Sequence, residues 1–281
     1  MRWQMGRRSQ NVEDRRGAGA PVAVGGGIGV VVLALIAALL GFDPTPILNQ
    51  AVSTDPGSNS GQTISPEDEQ LADFVAVVLG DTEDTWNSIF QQIGADYREP
   101  TLVMFSGRVD SACGLATAAS GPFYCPQDQK VYIDLSFYND MKYKLNAPGD
   151  FAQAYVIAHE IGHHVQTLLG ISQQVTKLQR QASKIEANQL SVMLELQADC
   201  LAGVWAHHAD DARQILEQGD VEEAMNAASQ IGDDRLQRQA QGYVVPDSFT
   251  HGSSAQRVRW FKQGLQSGDL NQCNTFEAKN L

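Results

Sequence analysis

Residues 155–170 read YVIAHEIGHHVQTLLG and place three of the chain's six histidines within six positions, beside one glutamate. Asp150, with Gln153 three residues on, reads as a capping box that opens a helix, and Gly170 as its stop. Inside that helix, His159-Glu160-Ile161-Gly162-His163 is H-E-x-x-H. Positions four apart differ by about 40° of rotation and about 6 Å of rise, so the two imidazoles share one face. Both can reach a single ion at Zn–N distances of about 2.0–2.1 Å. Glu160 stands beside the first histidine, where its carboxylate reaches a water on the ion, the place a general base needs. His164 lies about 140° around the helix from His159 and is not counted as a ligand.

A catalytic zinc takes three protein ligands and keeps a fourth position open. The longer pattern with a third histidine is absent, because Leu169 occupies that position. The third ligand must come from elsewhere. Residues 194–206, LELQADCLAGVWA, offer Glu195 and Asp199, again four apart on one helical face. Glu195 can complete the ligand set, and Asp199 can orient a ligand histidine through the free ring N–H. Their neighbours Leu194, Leu196, Ala198 and Leu201 argue for burial, and a buried carboxylate needs a partner.

Outward from this site, residues 150 to about 240 read as helical throughout, and 67–94 as two helices with acidic starts and glycine stops. TLVMFSG (101–107) and KVYIDLSFY (130–138) read as strands. In the second, Val131, Ile133, Leu135 and Phe137 alternate at the period of a half-buried strand. A last helix, SAQRVRWFKQGL (254–265), precedes the tail. The expected architecture is a mainly helical α+β domain over residues 67–281 with a small sheet, within the size of a single core.

Residues 21–42, PVAVGGGIGVVVLALIAALLGF, carry no charge over 22 positions, about 33 Å of helix and enough to cross a bilayer. The stretch is too long for a cleavable signal peptide and reads as a single transmembrane signal anchor. Gly25 and Gly29 form a small-xxx-small pair on it. Arg2, Arg7, Arg8, Arg15 and Arg16 against Glu13 and Asp14 give residues 1–20 a local charge of +3. That bias puts a basic N-terminus (1–20) in the cytoplasm and the domain outside the inner membrane. Residues 43–66, rich in Pro, Ser, Gly and Asn, read as a flexible linker. The net charge of −13 argues against a nucleic-acid binder, which needs a basic face. Four cysteines, Cys113, Cys125, Cys200 and Cys273, agree with export, and Cys113–Cys125 with Cys200–Cys273 is the favoured pairing.

HEIGHHVQ (159–166) followed by ELQADCLAG (195–203) resembles the putative neutral zinc metallopeptidases, bacterial membrane-anchored proteins. The similarity extends to MRWQ…NVEDRRG at the start, GPFYCPQDQKVYIDLSFY (121–138) and FTHGSSAQRVRWF (249–261), and so covers nearly the whole chain. The resemblance implies a zincin-like fold of the gluzincin type, with zinc on His159, His163 and Glu195. His251 and Arg257 resemble the His…Arg pair that follows the zinc motifs in membrane-associated gluzincins, and so stand as candidate oxyanion donors. The expected activity is hydrolysis of a peptide or protein substrate by a zinc-activated water with Glu160 as base. The strand at 130–138 is a candidate edge for an extended peptide. Two alternatives stay open: a membrane-tethered scaffold with a structural zinc, and a zinc hydrolase of a non-peptide envelope amide.

Overall fold

The computed structural model describes residues 1–16, 64–117 and 121–281. Met1–Arg15 and Ser65–Leu281 make one compact unit. Arg16–Ile64 make another, of which only the two end residues are described.

After strand β1 (Val12–Asp14), helix α1 runs from Pro66 to Gln92. Ser65 opens it with a reciprocal capping box to Asp68, and Pro66 takes the first helical position, where no N–H is needed. The expected pair of helices is one continuous helix, because Gly80 is not a stop. A Cβ there would lie 2.5 Å from the Arg7 carbonyl oxygen, so the missing side chain admits the N-terminal segment against the helix.

The sheet comes next: β2 (Thr101–Phe105), a two-stranded pair β3 (Arg108–Ser111) and β4 (Gly114–Thr117), then β5 (Phe123–Cys125) and β6 (Lys130–Asp134). The main sheet has the order β1-β2-β6-β5, with β5 antiparallel to β6 and the other pairs parallel. β6 is therefore central, and the edge strands are β1 and β5. The strand expected to run on to Phe137 ends at Asp134. That carboxylate accepts the N–H groups of Gly107 (2.7 Å) and Ser136 (2.9 Å) and turns the chain into helix α2 (Ser136–Tyr143). A central strand buries both faces: Val131 and Ile133 join the main core, and Tyr132 joins a second cluster with Val103 and Phe105.

Helices then follow to the tail: α3 (Asp150–Leu168), α4 (Ile171–Gln179), α5 (Lys184–Arg213), α6 (Asp220–Gln230), α7 (Asp233–Gln241) and α8 (Ser254–Ser267), with a short 3₁₀ turn at Leu270–Cys273. Fifteen of the nineteen residues of α3 are buried, which makes it the central helix. Its expected capping box is not formed. Gly149 is the cap, and the Asp150 carboxylate instead takes the Met1 amino group at 2.7 Å. Phe151 of α3 stacks on Trp205 of α5, and Tyr155 meets Phe261 of α8 edge-on.

The membrane reading requires correction. The stretch 21–42 lies outside the described residues, and no helix among the described residues is long and apolar enough to cross a membrane. The inferred topology fails on pairing: β1 is hydrogen-bonded along β2, Val12 opposite Leu102 and Asp14 opposite Met104. A single crossing between them would put two adjacent strands on opposite sides of a bilayer. Nor do the N-terminal arginines mark a free basic segment. Arg7 pairs with Glu83 and Asp84 at 2.8 Å, and Arg8 with Asp73 at 2.6 Å, all on α1. The fold is a mainly helical α+β unit with a small sheet, and placement as a single-pass inner-membrane protein with a cytoplasmic N-terminus is not supported.

Both disulfides are present, Cys113–Cys125 and Cys200–Cys273, and no cysteine is free. The first closes 12 residues and the second 73. By loop-closure entropy they are worth about 3 and about 4 kcal/mol.

Candidate metal centre

Helices α3 and α5 meet closely because Gly162 has no side chain: a Cβ there would sit 3.0 Å from the Ala198 carbonyl oxygen. This approach carries His159 and His163 of α3 to Glu195 of α5. His159 Nε2 lies 3.1 Å from Glu195 Oε2, and His163 Nε2 lies 3.4 Å from Glu195 Oε1. One donor atom from each of the three falls within 4.8 Å of the others. A tetrahedral zinc with bonds of about 2.0–2.1 Å spaces its ligand atoms by about 3.3 Å, so the donor set fits such an ion.

Hydrogen bonding sets the tautomers. Gln166 Nε2 donates to the Leu194 carbonyl (2.7 Å) and to Gln197 Oε1 (3.0 Å), so Gln166 Oε1 must face His163 Nδ1, 2.9 Å away. Nδ1 of His163 carries the proton, and the Nε2 lone pair points at the Glu195 carboxylate. His159 Nδ1 likewise faces Asp199 Oδ1 at 2.8 Å while its Nε2 faces Glu195. Burial would lower His159, but Asp199 and then Glu195 outweigh it and raise it to about 10. For His163, burial is similarly outweighed by Glu195, and the shift is upward. Lone pairs facing carboxylates demand a positive charge between them, from a proton or a metal ion.

Asp199 is fully buried. Burial alone would raise its carboxyl, but Arg257 and then His159 overcome this and hold it at about 2. Arg257, 2% exposed, grips Asp199 with two bonds, Nε to Oδ2 (2.8 Å) and Nη2 to Oδ1 (2.9 Å), and the Tyr155 hydroxyl donates to Oδ1 as well. Arg257 also lines the cavity over the three donors; its Nη2 reaches the Tyr155 hydroxyl as well as Asp199, and its Nη1 lies 3.5 Å from the Ile231 carbonyl. Its bonds to Asp199 lock the carboxylate that orients His159.

A cavity of about 380 Å³ opens over the three donors, within the range of ligand pockets. Glu160 lines it, and its carboxylate hydrogen-bonds none of the described residues. One wall is Pro122 with Phe123 and Tyr124 of the β5 edge, and apolar walls come from Phe137, Val156 and Leu236. His251 also lines it, half-exposed, with Nδ1 3.3 Å from Asp233 Oδ1. Asp233 accepts the backbone N–H groups of Thr250, His251 and Gly252 and so fixes this loop. Its hydrogen bond raises His251 above the ordinary histidine range, against burial.

Over residues 1–276 the chain matches the family described as putative neutral zinc metallopeptidase. It is 53% identical to the uncharacterized protein YpfJ of Escherichia coli (strain K12) over 287 aligned positions, 98% of this chain and 99% of that one. It is 38% identical to the uncharacterized protein Rv2575 of Mycobacterium tuberculosis over 260, covering 87% and 86%. No solved structure matches. The chain belongs to the putative neutral zinc metallopeptidase family.

In this family member, reading the sequence missed three buried polar residues at the site: Tyr155, Gln166 and Gln197. Each sits within or one turn from the two motifs, and the available signal was a polar group on an otherwise apolar helix face. The separation of His164 from the site is seen directly. Its Nε2 donates to the Arg98 carbonyl (2.6 Å), and its Nδ1 accepts from the Tyr124 hydroxyl (3.1 Å). Burial pushes it down to about 4. An unfolded imidazole takes up its proton near 6.5, so this pocket's stabilisation is complete above pH 6.5. It drains away as pH falls through about 4, by about 3 kcal/mol in all. Urea unfolding at pH 7 and pH 4.5 should show the wild type losing most of that amount relative to His164→Phe. Equal losses in the two proteins would contradict the assignment.

Proposed function

We propose that the chain is a zinc-dependent peptidase in which Glu160 is the general base. One observation carries the reading: two imidazoles and one carboxylate converge beneath an open cavity, with an unengaged glutamate on its wall. A structural zinc is closed by four protein ligands, whereas three donors under an open cavity match the catalytic type. Non-peptide amides enter as outcomes of the test below.

His159 and His163, through Nε2, and Glu195 would hold the ion. When bound, zinc supplies Lewis acidity and lowers the pKa of water. Glu160 accepts the proton of the attacking water and hands it to the leaving amine nitrogen. Asp199, pinned by Arg257 and Tyr155, keeps the His159 Nδ1–H pointed away from the cavity and its Nε2 toward it. His251, whose protonated form Asp233 favours, donates to the oxygen that gains charge as the carbonyl is attacked. An extended peptide adds along β5, the edge strand at the cavity wall, in place of the central β6 named from the sequence.

The test incubates the zinc-loaded full chain with a broad quenched-fluorescent peptide library. Cleavage should stop with a zinc chelator and return with one equivalent of zinc. Cleavage indifferent to the chelator, or release from non-peptide amides alone, would refute the peptidase reading.

A further inference from the structure

Gln166 and Gln197 have no part in the chemistry above, yet they are 0% and 6% exposed. A buried amide is tolerated only when its donors and acceptor are met, so such residues report what they hold. Gln197 Nε2 donates to the Cys273 carbonyl at 3.0 Å, leaving its Oε1 to accept from Gln166 Nε2 at 3.0 Å. Gln166 Oε1 then accepts from His163 Nδ1. Flipping either amide would set carbonyl against carbonyl, so the direction of the whole relay is forced. Every donor points from the metal centre toward the C-terminal tail.

That tail is fastened at the same place. Cys273 is bonded to Cys200, which follows Asp199 on α5, and Thr275 Oγ1 donates to the Met193 carbonyl at 2.6 Å. Cys273 and Thr275 are buried. The carbonyl that anchors the relay is thus carried by the residue that makes the disulfide.

We propose that the C-terminal tail is a positioning element of the metal centre: through Cys273, Gln197 and Gln166 it fixes the His163 tautomer and aims the Nε2 lone pair at the ion, and the Cys200–Cys273 disulfide holds the relay in register. Gln166 and Gln197 are positioning residues that act through His163. The inference rests on the proposed ligand set, and it deepens that reading by naming what orients one member.

The experiment uses the full chain in three variants, Gln166→Met, Gln197→Met and Cys200→Ser/Cys273→Ser, and their combinations. Zinc Kd is measured by competition with a chromophoric chelator, and the His163 Nδ1–H is followed by NMR in the zinc-free protein. Gln166→Met should weaken zinc binding about 10–100-fold, the usual effect of losing a partner of a ligand histidine. Gln197→Met and the double serine variant should each cost roughly tenfold, the low end of that range. Neither should add to the loss once Gln166 is gone, because all three act on one relay. The Nδ1 proton, hydrogen-bonded and slow to exchange in the wild type, should exchange freely in Gln166→Met and shift in Gln197→Met.

Gln197→Met keeps the disulfide and answers the question if the serine variant fails to fold. A folded Gln197→Met with unchanged Kd and an unchanged Nδ1–H signal would overturn the proposal, as would losses that multiply independently. Should wild type bind no zinc at these residues, the function reading falls, and the NMR signal alone still decides the relay.

Discussion

Glu160→Gln is expected to lower peptide hydrolysis by about 10²–10⁴-fold while zinc content stays at the wild-type level. The amide matches the carboxylate in size but cannot accept a proton from water. Because the Glu160 carboxylate hydrogen-bonds none of the described residues, no hydrogen bond of the fold is lost with the change. His159, His163 and Glu195 are linked to Asp199, Gln166 and one another, so the donor set survives the change. The loss should fall on kcat with little change in KM, as for an interaction made only in the transition state. Metal analysis beside steady-state kinetics checks both halves. Equal rates in the two proteins would remove Glu160 from the mechanism.

Arg257→Leu is expected to destabilise the fold by about 3–5 kcal/mol, because it strands the fully buried Asp199 carboxylate without its cation. Two charge-assisted bonds vanish, and only the Tyr155 hydroxyl and His159 Nδ1 remain to solvate the charge. Removing that charge as well should recover part of the loss, so Arg257→Leu/Asp199→Asn should be more stable than Arg257→Leu alone. The recovered protein would still bind zinc about 10–100-fold more weakly than wild type, since the His159 N–H has lost its carboxylate. Urea unfolding of the wild type, the two single variants Arg257→Leu and Asp199→Asn, and the double variant measures the cycle. A cost below about 1 kcal/mol for the single change would be that of an exposed pair and would contradict the buried geometry.

What the sequence made legible was local. Four-residue spacing on two helices placed His159 and His163 on one face and Glu195 and Asp199 on another, and the structure brings those faces together. The spacing of the cysteines favoured the pairs that form. The same local reading misjudged the N-terminal region. Hydropathy and charge over 1–42 resemble an anchor, but the pairing of Val12 with Leu102 is a contact across the chain that no periodicity reveals. Gly80 reads as a stop until Arg7 is found against it, and Asp150 as a cap until Met1 claims its carboxylate. Arg257 offered a cation, and only its distances show that it grips Asp199, the carboxylate that orients His159. Gln166 and Gln197 are silent in a hydrophobicity pattern, because what makes them useful is the carbonyl of Cys273, brought in from the tail.

The most direct test of the whole account is the zinc K-edge X-ray absorption spectrum of the purified, zinc-loaded chain. Two imidazole nitrogens and carboxylate oxygen should appear at about 2.0–2.2 Å, with no scatterer at the roughly 2.3 Å of a thiolate. A spectrum with sulfur ligands, or one lacking imidazole altogether, would mean that the ion is not held by His159, His163 and Glu195.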